Sequence, residues 1–256
     1  MLLFTPAVSS LQSCYSACNQ EIPFNTVLER PTNCNVTRNS SLLCAVSVTF
    51  YSNRQTTIGI FYFTPTISNS RPCFVETDVT ISTGTLNRHT FYECADCDIF
   101  ESARDIVATM QSVLTIAPIV ISQIRDLIEP NNTTKMIECY KGNEENQIVS
   151  PCLTCLLEIN TNKTSNRLCN ILTSNSLKVN LNELTTLDDK RTFGTINIEC
   201  SRQHCNTLTT ARSALWILFE NGLSQHAYEL TPSTAVSSFS IFYPIAYLFV
   251  FISFLY

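Results

Sequence analysis

The residue type most able to do chemistry in this chain is cysteine, of which there are 13: Cys14, Cys18, Cys34, Cys44, Cys73, Cys94, Cys97, Cys139, Cys152, Cys155, Cys169, Cys200 and Cys205. In a reducing compartment so many thiols would imply metal ligation or redox catalysis; in an oxidising one they imply a disulfide frame. Two C-x-x-C pairs, Cys94/Cys97 and Cys152/Cys155, invite the zinc reading. They stand 54 residues apart, against the roughly 15–20 of a zinc ribbon, and neither has a histidine beside it. Neither pair follows a buried strand and opens a helix, as a redox C-x-x-C does. The disulfide frame is therefore the favoured reading, with no metal and no cofactor assigned.

The other catalytic residue types are sparse. His89, His204 and His226 are the only histidines. His204 sits between Cys200 and Cys205, where a solvated surface position is the simpler reading. Asp188-Asp189 and Glu144-Glu145 are adjacent carboxylates, which on a strand would point to opposite faces, and they read as solvated turn residues. Trp216, with Leu215, Ile217, Leu218 and Phe219, reads as helix core. There is no H-E-x-x-H and no G-x-S-x-G. The five glycines form no G-x-G-x-x-G. A net charge of −5, with no basic run, excludes a nucleic-acid surface. The chain is read as a non-enzyme, and the alternative is a secreted or membrane-tethered extracellular enzyme with a dispersed site.

Several features agree on an extracellular location. Acceptors N-x-[ST] for N-glycosylation occur at Asn35, Asn39, Asn131, Asn132 and Asn162 in polar, turn-like stretches. Charged residues are only 14% of the chain, against roughly 25% in an average soluble domain. From Ile241 to Tyr256 the sequence IFYPIAYLFVFISFLY carries no charge and is shorter than the ~20 residues of a spanning helix. Ser233-Thr234-Ala235 precede it, and with the tail counted from Ile245, residues 236–244 give a spacer of nine. Small residues, spacer and apolar tail compose a glycosylphosphatidylinositol (GPI) attachment signal, with Ser233 the expected attachment point. A single-pass membrane tail is the alternative. Residues 1–13 read as a truncated signal peptide, apolar but without a positive start.

The elements that must hold these residues come in two copies. Cys14-Tyr15 opens one block and Cys139-Tyr140 another. The blocks close with Glu93-Cys94-x2-Cys97-Asp98 and Glu199-Cys200-x4-Cys205-Asn206, and each closure is followed after four residues by Ala-Arg, at 103–104 and 211–212. Within the blocks the pattern is that of strands: Cys44, Val46, Val48, Phe50; Val75, Thr77, Val79, Ile81; Leu177, Val179, Leu181; Ile196, Ile198, Cys200. Ile58–Phe63 is a continuous apolar run that suits a strand buried on both faces. Residues 99–129 follow helical spacing interrupted at Pro118, and their charges argue against a membrane span.

A block that opens Cys-Tyr, carries spaced cysteines, closes Cys-x4-Cys-Asn and precedes a GPI signal resembles the Ly-6/uPAR three-finger superfamily. The residues that carry the resemblance are Cys139, Tyr140, Cys200, Cys205 and Asn206, with Cys14, Tyr15, Cys94, Cys97 and Asp98 in the first copy. Where the family has a doubled cysteine before the last loop, this chain has Glu93 and Glu199. The resemblance implies three hairpins projecting from a disulfide knot, a small loop closed by Cys200–Cys205, and a buried Asn206 bonded to the finger backbones. The expected fold is mainly β: two small disulfide-stapled, three-finger-like β domains (14–102 and 137–210). A helical connector (103–136) separates them, and a helix or stalk (211–232) and the hydrophobic tail (233–256) follow. Cysteines are expected to pair within each copy, which leaves one over, and Cys73 has no counterpart in the second copy. The expected role is a GPI-anchored glycoprotein on the extracellular face of the plasma membrane that binds an extracellular protein ligand.

Overall fold

The computed structural model describes residues 13–16, 18–23, 26–30, 32, 34–38, 42–53, 56–65, 73–94, 99–129, 136–171, 177–185, 191–224, 228 and 230. Outside them lie Cys97, Asp98, Asn39, Asn131, Asn132, Asp188, Asp189, His226, Ser233, the residues before Ser13 and the apolar tail. The protein is mainly β. In chain order the elements are β1 (Ser13–Ser16), β2 (Cys18–Pro23), β3 (Asn35–Arg38), β4 (Leu42–Tyr51), β5 (Thr56–Pro65), β6 (Cys73–Thr80) and β7 (Thr85–Cys94), then α1 (Ile99–Ile128). The second half supplies β8 (Ile137–Tyr140), β9 (Ile148–Cys152), β10 (Thr154–Ile159), β11 (Ser165–Asn170), β12 (Lys178–Thr185) and β13 (Arg191–Cys200), then α2 (Leu208–Glu220).

The alternating residues become strands that bury one face. On β4, Cys44, Val46, Val48 and Phe50 are buried while Ser47 and Thr49 are half-buried. On β13, Ile196, Ile198 and Cys200 are buried, so a side-chain period of two directs apolar groups to one side. Both halves build the same antiparallel order. One sheet of nine strands runs β11-β10-β13-β12-β6-β7-β4-β5-β2, in which β12-β13-β10-β11 mirrors β6-β7-β4-β5. The equivalence extends to register, since Cys44 faces Cys94 across β4 and β7 as Cys155 faces Cys200 across β10 and β13. The mirror falls between β6 and β12, which pair antiparallel with Val79 opposite Val179. The two copies are thus joined edge to edge in a single sheet, beside which β1–β3 and β8–β9 form two small ribbons.

The helices supply the second layer. Along α1, Ile99, Ala103, Val107, Met110, Val113, Ala117, Val120, Ile124 and Ile128 are buried, a 3.6-residue stripe laid on the sheet. Pro118 has no N–H for the carbonyl of Leu114 and its ring crowds that carbonyl. The helix accordingly bends by 57° between Ile99–Val113 and Thr115–Ile128. Among the described residues no single helix is long and apolar enough to cross a membrane.

α2 is capped at both ends. The Thr207 hydroxyl accepts from Thr210 N. At the other end Gly222 (φ +69°) donates to Phe219 O and Leu223 donates to Leu218 O, the paired bonds of a Schellman ending. Trp216 corrects the expectation of helix core. Ala211, Ala214, Leu215 and Leu218 form the buried face, so Trp216 projects on the other side, 51% exposed. The helical period sets Trp216 off the face that carries those four residues, and it is the covering of that face by the rest of the fold that leaves Trp216 outside.

Candidate functional site

Cys139, Tyr140, Cys200, Cys205 and Asn206, which the sequence singles out, converge on the closing end of the second copy. Cys139 of β8 is bonded to Cys155 of β10, Cys152 of β9 to Cys169 of β11, and Cys200 to Cys205. In the first copy Cys18 is bonded to Cys34, and Cys44 is also disulfide-bonded. All four pairs whose two partners are described lie within one copy. Three sulfurs, of Cys139, Cys152 and Cys169, lie within 4.8 Å of one another, a spacing that could hold a metal. Each is committed to a disulfide, so none offers a thiolate. The C-x-x-C at 152–155 is likewise no redox pair, because its two members bond elsewhere. Loops of 16 and 17 residues closed by the first two bridges remove about 3 kcal/mol each of unfolded-state freedom.

Asn206 ties the closing loop to the hairpins. It is fully buried, its Nδ2 donates to Tyr140 O (2.8 Å) and Leu156 O (3.2 Å), and its Oδ1 accepts from Tyr140 N at 3.0 Å. Its own carbonyl accepts from Arg167 Nε at 2.9 Å. Arg167, 1% exposed, also donates to Asn143 O, Ser165 Oγ and Glu145 Oε1. Glu144 and Glu145 are both exposed in the loop after β8, as the solvated-turn reading expects, but Glu145 also pairs with the buried guanidinium. The β8–β9 loop folds over the guanidinium, and the Glu145 carboxylate also accepts from Leu208 N at the start of α2, where the helix dipole favours a negative charge.

The closing loop reaches the first copy's helix as well. Ser201 N donates to Ile128 O, and Arg202 Nη1 donates to Asp126 O at 2.6 Å, so the loop satisfies carbonyls at the end of α1. His204, expected in solvent, is half-buried. Its Nε2 lies 3.1 Å from Glu138 Oε2 and its ring packs 5.1 Å from the Tyr140 ring. The residue sits at φ +53°, a left-handed turn in which its N–H reaches Glu138 O.

The sheet face opposite the helices is polar. His89 Nε2 lies 2.9 Å from Ser47 Oγ, Glu76 faces His89 across β6 and β7, and Asn180 donates to Glu76 at 2.6 Å. Burial lowers the His89 pKa from its ordinary value, and the Glu76 charge opposes this. Next in the row, Asp78 faces Asn87 and Asn180. Burial raises its carboxyl pKa; the Thr80 hydroxyl and Lys178 lower it and Glu76 adds to the rise. Further along, Leu156, Glu158, Asn166, Leu168, Lys178 and Asn197 line an open cleft of about 270 Å³. Serine, imidazole and carboxylate thus come together, but on the central strands β4, β7 and β6, whose backbone amides face ladder partners on both sides. Among the described residues the backbone amides of these strands are therefore engaged in the sheet and are not set to form an oxyanion hole.

Sequence spacing leads to the cysteines and to Asn206 but gives no sign of Arg167 or Arg202, and marks Glu145 only as a solvated turn residue; the roles of all three depend on loops meeting in space. Of the glycosylation acceptors, Asn35 is exposed on β3, and Asn162 is exposed in the turn between β10 and β11. The backbones of Cys14, Cys73 and Cys94 lie in strands. Compared with known proteins, the chain matches no family model, no curated protein and no solved structure.

Proposed function

We propose that the chain is a GPI-anchored extracellular glycoprotein that serves as a cell-surface recognition, adhesion or receptor-like module. Its two halves are read as divergent three-finger-like repeats fused through their third hairpins. The observation that carries the reading is Asn206, buried under the Cys200–Cys205 loop and bonded to the backbones of Tyr140 and Leu156, the role that the resemblance assigns to it. Four described disulfides support an oxidising compartment. The polar sheet face with its cleft is the surface offered to an extracellular protein ligand. The second reading, an extracellular enzyme, rests on the Ser47–His89 contact.

Phosphatidylinositol-specific phospholipase C should release the protein from the surface of expressing cells. Resistance to the lipase, with a mass retaining Phe249 to Tyr256, would assign the tail to the membrane and remove the lipid anchor. Labelling of Ser47 by a fluorophosphonate would move the balance to the enzyme.

A further inference from the structure

We infer that the outer face of α2 rests on the interface of the membrane that holds the chain; this depends on the reading that the residues after Leu230 lead to a membrane anchor. Arg212, Trp216 and Phe219 recur at helical spacing along one exposed flank of α2, beside the buried face. Trp216 is 51% and Phe219 36% exposed, with ring centroids 5.8 Å apart, so they stand off the helix as one aromatic pair. Ile119 of α1, 54% exposed, belongs to the same helical layer; one turn on, Gln123 accepts a hydrogen bond from Asn221 just past α2. Water is a poor solvent for such a pair. A headgroup interface suits it, since tryptophan places an apolar ring and a polar N–H at that depth.

A membrane is favoured over a protein partner by where the chain leaves the fold. Beyond α2, Leu230 is buried and its carbonyl accepts from Arg212 Nη2 at 2.7 Å. Arg212 is one helical turn from Trp216. Ser233 follows Leu230 by three residues, a reach of at most about 10 Å. An anchor there is tethered beside the aromatic pair, and the exposed Arg212 suits lipid phosphate. This orientation turns the helical layer to the membrane and the polar sheet face to the solvent.

Trp216 is the only tryptophan, so tryptophan emission reports this face alone. The full anchored protein is reconstituted into phosphatidylcholine vesicles and isolated by flotation, then compared with the lipase-released form. The expected result is a blue-shifted emission, several-fold weaker quenching by aqueous iodide, and quenching by lipids brominated high on the acyl chain. Co-flotation with emission and iodide quenching equal to the released form overturns the inference and leaves the anchor standing. Protection from iodide without quenching by brominated lipid also overturns it, in favour of a protein covering the face. Failure to float overturns the anchor reading and the inference with it.

Discussion

Arg167 holds together pieces of chain that share no sequence neighbourhood: the β8–β9 loop through Asn143 and Glu145, strand β11 through Ser165, and the closing turn through Asn206 O. Truncating a buried, hydrogen-bonded charge leaves its partners unpaired. Arg167→Met is therefore expected to lower stability by roughly 3 kcal/mol, read from denaturant midpoints. Two titratable groups on the polar sheet face, His89 and Asp78, act in opposite directions. His89 has a lowered folded pKa, so its contribution is present above the ordinary histidine value and is lost as pH falls through the folded value. His89→Gln should flatten that loss in pH-dependent thermal melts. Asp78 has a raised folded pKa, so its ionised form costs stability near neutrality, and the cost disappears as pH falls through the folded value. Asp78→Asn should raise the melting temperature at pH 7 and lose that advantage in acid; an unchanged advantage would remove the carboxyl from the explanation.

At the scale of elements, the helix ends and one close strand approach are the sensitive points. Thr207→Ala removes the α2 N-cap and should cost about 1 kcal/mol. Gly194 is the extra residue of a bulge on β13, opposite the Asn182–Glu183 step of β12. A Cβ added there would lie 2.6 Å from Asn182 O, a backbone atom. Gly194→Ala must push the two strands apart, and it is expected to destabilise more than Thr207→Ala in the same denaturation series. Next to the bulge, Glu183 is 1% exposed and accepts from the hydroxyls of Ser224 and Tyr228 at 2.7 Å each. Strand distortion at this point therefore also disturbs the segment that follows α2.

At the scale of the molecule, the continuous sheet and the cap of Ser201 and Arg202 on α1 couple the copies. The hydrophobic core likewise runs as one cluster from Cys18 to Leu230. Calorimetry of the oxidised protein is expected to show one unfolding transition, and a charge placed at the seam by Val79→Asp should lower it as a whole. Two resolved transitions, only one of them moved by the substitution, would mean that the repeats fold independently.

Much of this plan is written locally. The recurrence of Glu-Cys, a second cysteine after two or four residues, Asp or Asn, and Ala-Arg four residues on marks where each sheet half ends and a helix begins, because Ala103 and Ala211 both lie fully buried near the start of the helices. The alternation along β4 and β13 carries its own burial, and the bend in α1 follows from Pro118 alone. These are short-range effects of side-chain period, ring closure and spacing, which a sequence states directly. The seam between β6 and β12, the meeting of Arg167 with Glu145 and Asn206, and the outward turn of Trp216 were decided only when distant segments packed. Each depends on which edge, loop or helix face another segment covers, and that is a property of the assembled layers rather than of any stretch of chain.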